Sequence, residues 1–247
     1  MLKRGHAAAA MIAAVLFLAS LAAAQATKVV ELTADPSASL LLENEYVRVW
    51  RIVIPPQKSS ALHRHQTDYV RIALSHSRFT ILNEQGMGGL TFDWPQGSAR
   101  FLSGEPAHRI TNVGTSETMQ VLEVEVLRGR LRAEHPFSPA AVESMAFDAF
   151  REPLEPEKSF HITHLTPALV GAHDQLTPGD STEAHEHVGP HLVVPITDLE
   201  LRSQPSSGEP QMLRASAGDV QWVPAGVKHK LTNVGGKPAR WISLEFK

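Results

Sequence analysis

One short segment used twice constrains this chain more than any other feature. His108-Arg-Ile-Thr-Asn112-Val-Gly returns as His229-Lys-Leu-Thr-Asn233-Val-Gly, about 120 residues further along. Each copy leads into an apolar-rich stretch, Met119 to Val126 and Trp241 to Phe246. Upstream, His63-Arg-His65 returns as His185-Glu-His187, and the two offsets differ by a single residue. Self-similarity on this scale means one domain-sized unit used twice. A chain of 247 residues has room for two cores of that size.

Inside each copy the pattern is one of short strands. Val47, Val49, Ile52 to Ile54, Val70 to Leu74, Phe79 to Leu82 and Val121 to Val126 are β-branched or apolar runs bounded by Gly, Pro, Asn and Ser. The second copy supplies Leu192 to Ile196, Leu199 to Leu201, Val220 to Val223 and Trp241 to Phe246. Turn signals at such regular spacing predict an all-β sandwich or barrel for each half. The reading places an N-terminal unit at 27–135, a linker at 136–158 rich in proline and acid, and a C-terminal unit at 159–247. Ala140 to Phe150 is the one stretch of the linker that reads as a short helix.

Residues 1–26 differ in kind from the rest. Lys3 and Arg4 precede an apolar run from Ala7 to Ala24, and Ala24-Gln25-Ala26 offers the small residues of a cleavage site. A cleaved export signal is expected, with the mature chain periplasmic or secreted and free of the membrane. Cysteine is absent, which removes disulfides, thiolate nucleophiles and thiolate metal sites. The formal net charge of −3 comes without a basic stripe, so nucleic acid is not an expected partner. Neither a Gly-x-Ser-x-Gly elbow nor a phosphate-cradling glycine loop occurs. Gly86 to Gly89 reads as a turn between strands.

The histidines carry the chemistry. Alternate residues of a strand share a face, so His185 and His187 can converge on one point, and His229 from a distant strand can close the triangle. Neutral imidazoles suit iron, manganese, nickel, copper or zinc, and the set does not choose among these divalent ions. His63, His65 and His108 repeat the arrangement in the first half. His76, His135, His161, His164 and His173 match no repeated position and read as surface or pocket-lining groups.

The second half reads Gly179-x5-His185-x-His187-x3-His191 and, later, Gly218-x5-Pro224-x-Gly226-x2-His229-x3-Asn233. These spacings resemble the two sequence motifs of the cupin superfamily. The later stretch fits at every fixed position, and the earlier one departs only in having His191 where the family usually carries Glu. The first half is more degraded. Gln57, Ser103 and Glu105 stand at glycine or proline positions, and Tyr69 stands where His191 does, with Asp68 beside it as a possible carboxylate ligand. The resemblance implies two tandem antiparallel jelly-roll barrels, here joined by the short helical linker, each holding one metal. It implies the ligand sets His185, His187, His191 and His229, and His63, His65, His108 and Tyr69.

Losing the anionic Glu leaves a divalent ion with its full charge, which favours a small anionic ligand. With His191 bound, an octahedral ion keeps two open positions; without it, three. Four imidazoles on zinc would instead be a closed structural site. The family includes dioxygenases, so the leading expectation is an oxygenase-like enzyme acting on a small anion. The alternatives are a non-catalytic binding or sensing module, and a metal-dependent lyase or isomerase with Glu183, Glu186 or His173 as a base. Either a monomer or a homodimer is compatible with two units in one chain.

Overall fold

The computed structural model describes residues 28–102, 107–128, 146–147, 160–165 and 169–247. Its strands form two groups of sheets, one group in each half of the chain. In the first half, a five-stranded sheet runs in the order Val30–Glu31, His63–Arg64, His108–Asn112, Ser77–Asn83, Gly88–Trp94. It faces a six-stranded sheet ordered Ala146–Phe147, Ala99–Leu102, Tyr69–Ala73, Met119–Val126, Val47–Ile54, Ala38–Glu43. The second half pairs a sheet of Phe160–Leu165, Leu169–Leu176, Ala239–Phe246, His191–Pro195 and Gln221–Val223 with a four-stranded sheet of His185–His187, Val227–Asn233, Leu199–Pro205 and Gln211–Ala215.

Two expectations need correction. No sheet closes on itself, so each half is a pair of open, facing sheets and not a barrel. Alternation of buried and exposed residues is the same in a sandwich and in a barrel, so the sequence pattern could not separate them. Nor is the pairing wholly antiparallel, since Val30–Glu31 runs parallel to His63–Arg64. The expected linker helix is also absent among the described residues, whose single helical element is a 3-10 turn at Leu32–Ala34. Ala146–Phe147, inside the segment read as helical, is an edge strand paired with Ala99 and Arg100. Sheet pairing overrides local propensity there; the rest of Ala140 to Phe150 lies outside the described residues.

The two halves pack back to back. Val47, Val49, Val70, Ile72, Leu122, Val124 and Val126 of the first half share one core with Leu192, Val194, Ile242, Leu244 and Phe246 of the second. Successive strand residues point to opposite faces, so this shared core takes every other residue of Met119–Val126 and of Ala239–Phe246. The intervening residues point into each half. Met119 and Val121 join the interior cluster of the first half, Ala239 and Trp241 that of the second. Strands buried on both faces read as near-continuous apolar runs. Polar exceptions on inward faces are Glu123, Glu125 and Arg71 in the first half and Asp174, Ser243, Glu245 and His191 in the second. Polar ties also cross between the halves: Arg51 donates from Nη2 to the Gly218 carbonyl at 2.7 Å, and Gln96 from Nε2 to that of Ile196 at 3.0 Å.

Candidate metal centres

The strand carrying the third histidine of each half is fastened at its far end by the repeated asparagine. Asn112 donates to the carbonyls of Ile54 and Glu117, and its Oδ1 accepts from the Gly114 amide. Asn233 makes the same three bonds, to Leu176, Lys237 and Gly235. At the near end, Gly226 turns the chain at φ +78°, a conformation open to glycine at little cost, and its amide reaches the His187 carbonyl at 2.8 Å. Gln57 holds the same kind of conformation at φ +58° where the second half has Gly179 at φ +89°. Its side-chain amide offsets the strain by donating to the Val113 and Gly114 carbonyls.

These supports bring His185, His187 and His229 together, with one nitrogen of each within 4.8 Å of the others, and do the same for His63, His65 and His108. In both halves the first His pairs in register with the third, His185 with His229 and His63 with His108. The outer nitrogens are engaged. His185 Nδ1 donates to the Glu183 carbonyl at 2.9 Å and His187 Nδ1 to Glu245 Oε2 at 3.1 Å, while His229 Nδ1 and Ser203 Oγ share a bond of 3.2 Å. That leaves Nε2 as the inward atom of each ring, and for His229 it is buried without a hydrogen-bond partner. Burial, with His185 and His187 nearby, pushes His229 down to about 4; burial lowers His187 as well. Their lone pairs are therefore available at neutral pH, as metal ligation needs.

The first half differs in its surroundings. His63 Nδ1 donates to Asp35 Oδ2 at 2.9 Å and His65 Nδ1 to Glu125 Oε1 at 3.2 Å. Arg71, wholly buried, holds Glu123 Oε1 through Nε at 2.7 Å and reaches Tyr69 Oη at 3.1 Å and His108 Nε2 at 3.2 Å through Nη2. Burial and then Arg71 push His108 well below its ordinary value. For His65, burial works downward, but Glu123 and Glu125 outweigh it and hold the ring up. The three imidazoles are nearly sealed, at 0%, 1% and 7% exposure for His63, His65 and His108. In the second half, His185 and His187 are only half-buried, so that cluster is the one solvent can reach.

Position 191 and its counterpart 69 do the same thing in both halves. The His191 ring stacks on His187 at 3.8 Å and the Tyr69 ring on His65 at 3.8 Å, each tilted by 21°. His191 stands outside the group of converging nitrogens, and Tyr69 Oη accepts from Arg71 Nη2 at 3.1 Å. Both are flat shelves that fix the second histidine. Of the other expected groups, Glu186 faces outward beside Lys228, Glu183 contributes its carbonyl, His76 is a surface partner of Asp93, and His173 is fully buried. Ser103, Glu105 and His135 lie outside the described residues. Sequence reasoning missed Glu125 and Glu245. Their signal was available: a carboxylate recurs at one place in the two most apolar strands of the repeat, Val-Glu-Val and Leu-Glu-Phe. Carboxylates that orient a ligating imidazole set metal affinity, so Glu245→Gln is expected to weaken metal binding at the second cluster by about 10- to 100-fold. Competitive chelator titration measures this, and an unchanged affinity would reduce Glu245 to a packing residue.

The fit to a divalent transition metal is good. Ligand bonds of about 2.1 Å place pairs of donor atoms roughly 3–4.3 Å apart, and these clusters stand within a small side-chain adjustment of that. Each half thus holds a cluster capable of chelating one such ion. The same architecture recurs in solved structures. A cupin 2 conserved barrel domain protein from Leptotrichia buccalis superposes with a TM-score of 0.55 at 13% identity, over 85% of this chain and 88% of that one. The fold is that of the cupins, used twice. Oxalate decarboxylase from Bacillus subtilis, in the form of an arginine variant, gives a TM-score of 0.58 at 16% identity, over 87% of this chain and 76% of the enzyme. A further structure of it, from work on its Mn(II) centres, gives 0.55 at 15% over the same shares. No protein-family profile and no curated protein sequence matches the chain. These likenesses correct one expectation. The neighbours named by an activity are decarboxylases, so the dioxygenase-like reading drawn from family resemblance finds no support among them. Among the described residues, no helix is long and apolar enough to cross a membrane.

Proposed function

We propose that this protein is a metal-dependent lyase of the decarboxylase type, acting on a small carboxylate such as oxalate at the His185, His187, His229 cluster. The observation that carries the reading is a triad of converging imidazoles open to solvent on one side, with His187 oriented by Glu245. A divalent ion held there supplies Lewis acidity toward a carboxylate oxygen. Because all three imidazole ligands are neutral, such an ion would keep its full double positive charge, which would favour an anionic ligand on the open side of the site. His191, by stacking on His187, limits how that ligand can rotate. The cluster of the first half is sealed from solvent, and a structural or tuning metal is its best reading.

The remaining expectations keep their place as proposals. Residues 1–26 act as an export signal and deliver the chain to the periplasm or beyond the cell, and the two units run over 27–135 and 159–247. Back-to-back packing covers the apolar outer sheet of each half within one chain, which supports a monomer.

The test is turnover of small mono- and dicarboxylates by Mn(II)-loaded protein, following carbon dioxide, formate and dissolved oxygen together. Carbon dioxide and formate in equal amounts, without stoichiometric oxygen loss, are expected from oxalate. Absence of turnover across the panel would leave a binding module as the better account.

A further inference from the structure

Tyr69 occupies the position where the resemblance calls for a metal-binding carboxylate, and its ring is committed to stacking on His65. The neighbouring strand fills the gap. Met119–Val126 pairs Glu123 directly with Arg71, and both side chains are wholly buried. Glu123 Oε1 accepts from Arg71 Nε at 2.7 Å and lies 2.6 Å from Nη2. Glu123 Oε2 has no hydrogen-bond partner and stands 3.1 Å from His65 Nε2, off the line of a hydrogen bond. His63 Nε2 and His65 Nε2 are likewise buried without one. His65 Nε2 and Glu123 Oε2 meet there as a buried ion pair, and His63 Nε2 has no hydrogen-bond partner. Glu123 stands just outside the group of converging nitrogens, and a shared cation would draw all three donor atoms together. Two ligands at right angles on an ion with bonds of about 2.1–2.2 Å lie about 3 Å apart, which is the His65–Glu123 spacing.

We propose that Glu123 is a ligand of the metal in the first half, supplying from an adjacent strand the carboxylate that Tyr69 does not, with Arg71 as its counter-ion. The proposal rests on the reading of His63, His65 and His108 as a metal centre. The second half has no equivalent: the matching register positions there are Ser243 and Val193. The two centres therefore differ in kind, one with an anionic ligand and one with imidazoles alone. Arg71 Nη2 also meets His108 Nε2 at 3.2 Å, a hydrogen bond that metal ligation by His108 would replace.

The experiment uses the full chain carrying His185→Ala and His187→Ala, so that the first-half centre is alone, and titrates Mn(II) by calorimetry and electron paramagnetic resonance. Glu123→Gln is expected to weaken binding by more than about 100-fold and to alter the fine structure of the bound-ion signal. Glu123→Gln with Arg71→Met, which leaves no unpaired buried charge, keeps the result readable if the single variant fails to fold. Wild-type affinity with an unchanged signal in either variant overturns the assignment of Glu123. Absence of Mn(II) binding in the parent chain, with or without His63→Ala, overturns the metal centre itself.

Discussion

Two divalent ions per chain are expected from elemental analysis of protein purified without chelator or affinity nickel, and one from each paired histidine variant. His63→Ala/His65→Ala removes two of three imidazoles from one cluster, and His185→Ala/His187→Ala does so in the other. One remaining imidazole, joined in the first half by Glu123, leaves too few ligands to hold a first-row ion through purification, so each pair loses its ion. The consequence for turnover follows from exposure. The cluster of the second half meets solvent and the cluster of the first does not. His185→Ala/His187→Ala is therefore expected to lower carbon dioxide release from oxalate by at least about 1,000-fold, as the Lewis acid vanishes with its ligands. Release that survives this variant would move the reaction to the first half. Because a metal that binds only the folded chain adds its binding energy to stability, each variant is also expected to lose part of the melting shift that Mn(II) confers.

The sequence carried the repeat, the two histidine triads and most strands, for a physical reason. Metal-binding histidines on alternate strand positions and glycines at positive φ are local demands, and local demands leave local spacing behind. Gly226 and Asn233 were legible in this way as motif positions, and in the structure Gly226 makes a turn at positive φ and Asn233 ties a loop through its side chain. What was not legible depends on neighbours far apart in the chain. Whether sheets close is decided by edge pairing, which alternation does not encode. Glu123 and Arg71 are separated in sequence yet are register partners, so neither has a short-range signature. At 191 and 69, ring stacking in both halves explains why an aromatic residue can stand where a carboxylate was expected.

Asp174→Asn is expected to stabilise the protein at alkaline pH by about 4 kcal/mol. Asp174 lies on the inward face of Leu169–Leu176, wholly buried, and accepts a bond of 2.8 Å from Ser243 Oγ. The register partner of Asp174 is Trp241, and the corresponding pair in the first half is Ile52 with Val121. An acid thus stands where the repeat otherwise places a core isoleucine. Burial pushes its carboxyl up to about 7, with Ser243 opposing. The folded state prefers the protonated acid, so the stability this group contributes is complete below pH 4 and is lost as pH rises through about 7. Asn keeps the shape and the acceptor for Ser243 but has no charge to bury. Variant and wild type should therefore be nearly equal near pH 4 and diverge steadily to pH 8. Urea unfolding at several pH values, with chelator present so that metal release adds no pH dependence of its own, measures the difference. Parallel curves for the two proteins would mean that Asp174 is ionised in the folded state and compensated by a group other than Ser243.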